Sequence, residues 1–148
     1  MKKVLFSFLM MFVVALSANT AMAQDEVKSG ASIEFDKETH DYGSVEYGGN
    51  GQCIFTFTNT GTESLLISNA KGSCGCTVPS WPKESIAPGE TGEIAVKYDT
   101  KRPGAINKSV TITSNATNSP TKVIRIKGTV QPKPESGAPV STGAPANK

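Results

Sequence analysis

Between residues 31 and 130 the chain repeatedly alternates apolar and polar positions with a period of two, the spacing that turns one side of an extended strand toward a core. Ile33 and Phe35 begin the series. Cys53, Phe55 and Phe57 then share one face while Gln52, Thr56 and Thr58 share the other, with Ile54 out of step. The pattern returns at Leu65 and Ile67, at Ile94, Val96 and Tyr98, at Val110 and Ile112, and at Ile124 and Ile126. Turn chemistry separates the runs: Tyr47-Gly-Gly-Asn-Gly51, Asn59-Thr-Gly61, Ala87-Pro-Gly-Glu90, Arg102-Pro-Gly104, and Asn115 to Pro120. No stretch carries a helical apolar stripe of useful length. The pattern therefore predicts an all-β fold, a single antiparallel immunoglobulin-like β-sandwich of about seven strands.

Both ends read differently. Residues 1–23 place Lys2 and Lys3 ahead of an uncharged apolar run from Val4 to Leu16 and end on Ala21-Met22-Ala23, the layout of a signal peptide cleaved after Ala23. That run is shorter than the roughly 20 residues a spanning helix needs, so no stable membrane anchor is expected. Residues 24–30 are polar and expected to be loose. Residues 131–148 are rich in Pro, Gly and Ala, with Val140 the one large aliphatic residue, and bury too little surface to offset ordering entropy. The folded unit is expected over 31–130, in a periplasmic or secreted protein.

Charge and cysteine content change the picture next. Loss of Lys2 and Lys3 with the signal brings the basic residues level with the 13 acidic ones. A neutral mature chain has no electrostatic case for nucleic acid. Export implies an oxidising compartment, in which neighbouring cysteines pair. Three cysteines leave at least one unpaired within the chain. Cys53 has no cysteine opposite it on the penultimate strand, Ala105 to Ser114, and Trp81 sits between Ser80 and Pro82 rather than in a strand centre, so the antibody-type disulfide and tryptophan are missing.

The order His40-Asp-Tyr-Gly43, Phe55-Thr-Phe-Thr-Asn-Thr-Gly61, Leu66-Ile67, Ser73-Cys-Gly-Cys-Thr77, Ala87-Pro-Gly-Glu90, Val96-Lys-Tyr-Asp99 and Ile124-Arg-Ile-Lys-Gly128 resembles an uncharacterised family of exported bacterial proteins, the domain of unknown function 1573. More distantly it resembles Hydin-type immunoglobulin-like domains related to major sperm protein and pilus-chaperone sandwiches. The resemblance covers about residues 31 to 130, and Ser73-Cys-Gly-Cys-Thr77 is its specific part. It implies the sandwich fold and a periplasmic or extracellular setting, and no activity.

Cys74 and Cys76 are the residues with candidate chemistry. In an extended strand their Cα atoms would stand about 6.6 to 6.8 Å apart, at the upper edge of the roughly 4.4 to 6.8 Å a disulfide spans. Gly75 can shorten that span by turning. A local bond, a bond from one of them to Cys53, and a redox-active pair all remain open at this point. So does a Cu(I) clip, whereas zinc would need all of Cys53, Cys74, Cys76 and His40. His40 beside a turn reads as a loop residue rather than a catalytic base, and no Ser-His-Asp or phosphate-cradling motif is present, so no enzyme and no cofactor are expected.

The expectation is an exported noncatalytic binding or structural module of the cell envelope, its partner an unknown protein or envelope component. Its candidate binding loop carries Ser73, Cys74, Gly75, Cys76, Thr77 and Trp81, the last an aromatic that either anchors a partner or caps the sandwich. The alternative is a thiol-redox or Cu(I)-handling protein acting through Cys74 and Cys76.

Overall fold

The computed structural model describes residues 29–135. The expected signal peptide over 1–23, most of the 24–30 segment and most of the 131–148 tail lie outside the described residues. Among the described residues eight strands form: β1 Ile33–Phe35, β2 Thr39–Val45, β3 Gln52–Asn59, β4 Ile67–Gly72, β5 Thr77–Ser80, β6 Thr91–Tyr98, β7 Gly104–Ser114 and β8 Thr121–Val130. They make two four-stranded sheets, ordered β1-β3-β6-β5 and β2-β8-β7-β4. The pairing is antiparallel except between β2 and β8, which run parallel with a slip in register between Asp41 and Ser44. No helix among the described residues is long and apolar enough to cross a membrane.

The period-two residues meet in one core. Cys53, Phe55 and Phe57 from β3 and Ile94, Val96 and Tyr98 from β6 face Val110 and Ile112 from β7 and Ile124 and Ile126 from β8. Phe35 tilts against Phe57 with ring centroids 5.6 Å apart. Gly92 opposes Phe57 on β6 because a Cβ there would overlap the Phe57 ring. Ile54, out of step in the sequence, is 49% exposed on the outer face of its sheet.

Two strands fall outside the alternating series, β2 and β5. Both are sheet edges, and neither repeats an apolar residue at every second position. Leu65 is fully buried and pairs with Ile86 through an isolated bridge rather than within a strand. Between them, buried Asn59 ends β3 as a node: its Oδ1 accepts from the Ser32 and Gly61 amides, and its Nδ2 donates to the Glu63 and Ile86 carbonyls.

Candidate functional site

The Ser73-Cys-Gly-Cys-Thr77 stretch is the crossover by which the chain leaves one sheet for the other, from edge strand β4 to edge strand β5. Gly72 closes β4 so near the incoming strand that a Cβ would overlap the Thr77 carbonyl oxygen. Ser73 then anchors the turn to β7: its amide donates to the Ser109 carbonyl at 2.8 Å, and its Oγ accepts from the Ser109 amide at 3.2 Å. The Thr77 amide donates back to the Cys74 carbonyl at 3.1 Å, and the Cys76 carbonyl accepts from the Asp99 amide at 2.9 Å.

Within this turn Cys74 and Cys76 are joined as a disulfide, with their Cα atoms 5.2 Å apart. The turn supplies the shortening that an extended strand lacks. Gly75 does so without a left-handed backbone, and open space surrounds the position a Cβ would take. Cys74 is half-buried against the core edge, whereas Cys76 is buried within it. The hydroxyl of buried Thr77 lies 3.6 Å from the Cys74 sulfur and 3.8 Å from the Cys76 sulfur, a donor shared between them. Closing so short a loop removes only about 1.6 kcal/mol of unfolded-chain entropy.

Beside the turn an open cleft of about 720 Å³ runs across this end of the sandwich. Gly75, Cys76 and Val78 form one side, and the Gly48–Gly51 loop between β2 and β3 forms the other. That loop is held to β6 and its following turn: the Gly48 amide donates to the Thr100 carbonyl at 3.1 Å, the Thr100 hydroxyl to the Gly49 carbonyl at 2.7 Å, and the Tyr98 amide to the Gly51 carbonyl at 2.8 Å. Lys97 and Lys101 line the cleft, as does Asp99, whose carboxylate accepts from the Lys101 amide at 3.1 Å and pairs with exposed Arg102 at 3.4 Å. With two lysines against one aspartate, the cleft is therefore weakly cationic. The strand register brings Gln52, Lys97 and Val78 side by side across three strands.

The free edge of β5 is closed to a further strand. The bond from the Asp99 amide to the Cys76 carbonyl sets the alternation along β5 and β6, so Pro79, opposite Val96, turns the side lacking an N–H outward. The Thr77 amide, which also faces that side, is already taken by Cys74.

Of the residues named from the sequence, Ser73, Cys74, Gly75, Cys76 and Thr77 are together in this turn, and Trp81 is not with them. It lies past the other end of β5, beside the first half of β6, half-buried against the core with its indole N–H unpartnered. The Lys83 ammonium sits 3.2 Å from its ring centroid. His40 packs edge-on to Tyr42 at 4.6 Å and to Phe55 at 6.4 Å, away from the turn; burial and then repulsion from Lys37 hold its pKa below the ordinary value. Cys53 is free and buried, its thiol pushed up in pKa chiefly by burial. Neither Cys74 nor Cys76 pairs with it. Among the described residues no three His, Cys, Asp or Glu side chains cluster as metal ligands do. Lys97 and the Gly48–Gly51 loop read along the chain only as parts of a strand and a turn, and Lys101 as neither; strand register assembles them into one cleft, and that is invisible along one chain.

Comparison with known proteins fits this architecture. A family model described as protein of unknown function (DUF1573) matches residues 33–130. No curated protein matches the chain. A crystal structure of a protein of unknown function from Porphyromonas gingivalis W83 superposes with a TM-score of 0.60 at 17% identity, over 70% of this chain and 48% of that one. The ASH / PapD-like domain 7 of human CEP192 gives a TM-score of 0.55 at 11% identity, over 72% of this chain and 89% of that one. The VesB protease of Vibrio cholerae gives 0.50 at 15% identity, over 69% of this chain and 32% of that one. The chain thus spans about half the length of the first of these. At such identities the likeness shows the fold alone, an immunoglobulin-type sandwich of PapD-like architecture.

Proposed function

We propose, for a chain that belongs to the DUF1573 family of proteins of unknown function, the role of an exported, noncatalytic module that binds another protein or component of the cell envelope. The folded unit of the proposal is residues 31–130, in a chain cleaved after Ala23. The observation that carries it is the cleft of about 720 Å³ at one end of the sandwich, walled by the turn from Ser73 to Thr77 and the Gly48–Gly51 loop. Sandwiches present their loops at such ends, and recognition gathers there on a rigid scaffold. Strand addition is the other route by which a sandwich captures a peptide; Pro79 argues against it at β5. Binding at this end therefore falls to the cleft.

Gly75 supplies the test. Because a Cβ there meets nothing, a larger residue narrows the cleft without disturbing the fold. Wild type, a Gly75→Trp variant and a Trp81→Ala variant are compared by capture from envelope extract. The expected outcome is a specific partner retained by wild type and lost in Gly75→Trp, both proteins melting at the same temperature. An undiminished set of partners in Gly75→Trp removes the cleft from the reading. Loss in Trp81→Ala alone moves the binding surface to the other end of β5.

A further inference from the structure

We propose that the bond between Cys74 and Cys76 is a thiol–disulfide exchange site, opened by attack of a partner protein's dithiol on Cys74. The two sulfurs differ in access. Cys74 is half-buried at the crossover, whereas Cys76 is only 7% exposed, so an incoming thiolate meets Cys74 first. The scaffold does not depend on the bond. The Thr77 amide to the Cys74 carbonyl closes the turn by itself, and two hydrogen bonds tie Ser73 to Ser109. Opening the disulfide therefore leaves the crossover standing, which is what a reversible site requires and a staple does not.

The surroundings favour the charged sulfur that exchange produces. The Thr77 hydroxyl, within 3.8 Å of both sulfurs, donates to whichever becomes a thiolate. Lys97 and Lys101 line the same cleft as Cys76 and give it a weak positive field. Cys53 also has a hydroxyl and a cation near it, Tyr42 and Lys37, but burial outweighs both and it has no partner sulfur to exchange with.

The chemistry closes on itself. One thiolate of the partner's dithiol attacks the Cys74 sulfur, forming a mixed disulfide as the bond to Cys76 breaks, and Cys76 leaves as a thiolate that takes up a proton. The partner's second thiolate then attacks its own sulfur in the mixed disulfide and releases Cys74, which takes up the second proton. Two electrons pass from the partner, which ends as a disulfide, to this chain, which ends as a dithiol. The proposal concerns sulfur chemistry and stands apart from the binding role: failure of partner capture leaves it intact, and the reverse holds too.

The test uses the full mature chain and dithiothreitol as the probe dithiol. The native protein is equilibrated with graded ratios of reduced to oxidised dithiothreitol, alkylated and weighed intact, with circular dichroism on the same samples. The expected result is opening at Cys74 and Cys76 without denaturant, with the sandwich signal retained and a melting temperature lowered by less than about 10 °C. Then, in a Cys53→Ser background, Cys76→Ser and Cys74→Ser are mixed with oxidised glutathione. The lone thiol of Cys76→Ser is expected to form its mixed disulfide about tenfold faster than that of Cys74→Ser. A bond that opens only after unfolding, a fold that collapses when it opens, or equal rates in the two variants overturns the proposal.

Discussion

Asn59 ties three segments of the fold together. Its amide satisfies four backbone groups from three segments while being fully buried. A buried group left unpaired costs about 1–3 kcal/mol. Asn59→Ala is therefore expected to destabilise the domain by roughly 3–4 kcal/mol, read as a lowered urea midpoint with an unchanged slope. His40 sets a second residue-level expectation. Its pKa is held below the ordinary 6.5, so as pH falls through that value the unfolded chain takes its proton first. Stability is then full above about pH 6.5 and is lost progressively below it, down to the lowered folded value. The melting temperature should fall between about pH 7 and about pH 5 in wild type and fall less in a His40→Gln variant. Asp41, also lowered, acts in a more acidic window below its ordinary 3.8. At this scale the sequence is a fair guide to type and a poor one to role. Asn59 reads as the turn residue of a common Asn-Thr-Gly, and its four bonds exist only once Ser32 and Ile86 arrive from distant segments.

Strands with one face on the core announce themselves, and the others do not. β3, β6, β7 and β8 bury alternate residues, so their periodicity is legible. β2 and β5 lie at sheet edges with little to bury, and their sequences, THDYGSV and TVPS, carry no period. The crossover from β4 to β5 is legible as a cysteine pair but not as the place where the chain changes sheets. Its two glycines have opposite duties, which makes them a matched test. At Gly72 a Cβ overlaps the Thr77 carbonyl, and at Gly75 it enters open space. Gly72→Ala should cost at least about 2 kcal/mol in chemical denaturation, whereas Gly75→Ala should stay within about 0.5 kcal/mol of wild type. Equal costs would show that the crossover is held by some feature other than the close approach of Gly72 to β5.

At the scale of the whole molecule, length, alternation and turn spacing define the sandwich because only two packed sheets can bury so many single-faced strands. The cleft lies beyond that reasoning, since its walls come from both sides of β6 and from a loop that is merely glycine-rich along the chain. One feature of the topology also governs how the molecule comes into being. β2 joins its sheet by lying parallel to β8, Thr39 against Arg125, at nearly the full span of the domain. Closing so large a loop must precede the contacts that reward it, which places such folds in the millisecond-to-second range rather than the microsecond range. Stopped-flow refolding of the mature chain is expected to fall in that slower range. Until β8 is in place β2 has no partner, so a chain synthesised from its N-terminus leaves this strand unclaimed until almost the whole domain has been made. The interval before the last strand arrives is when the nascent protein is open to wrong pairings.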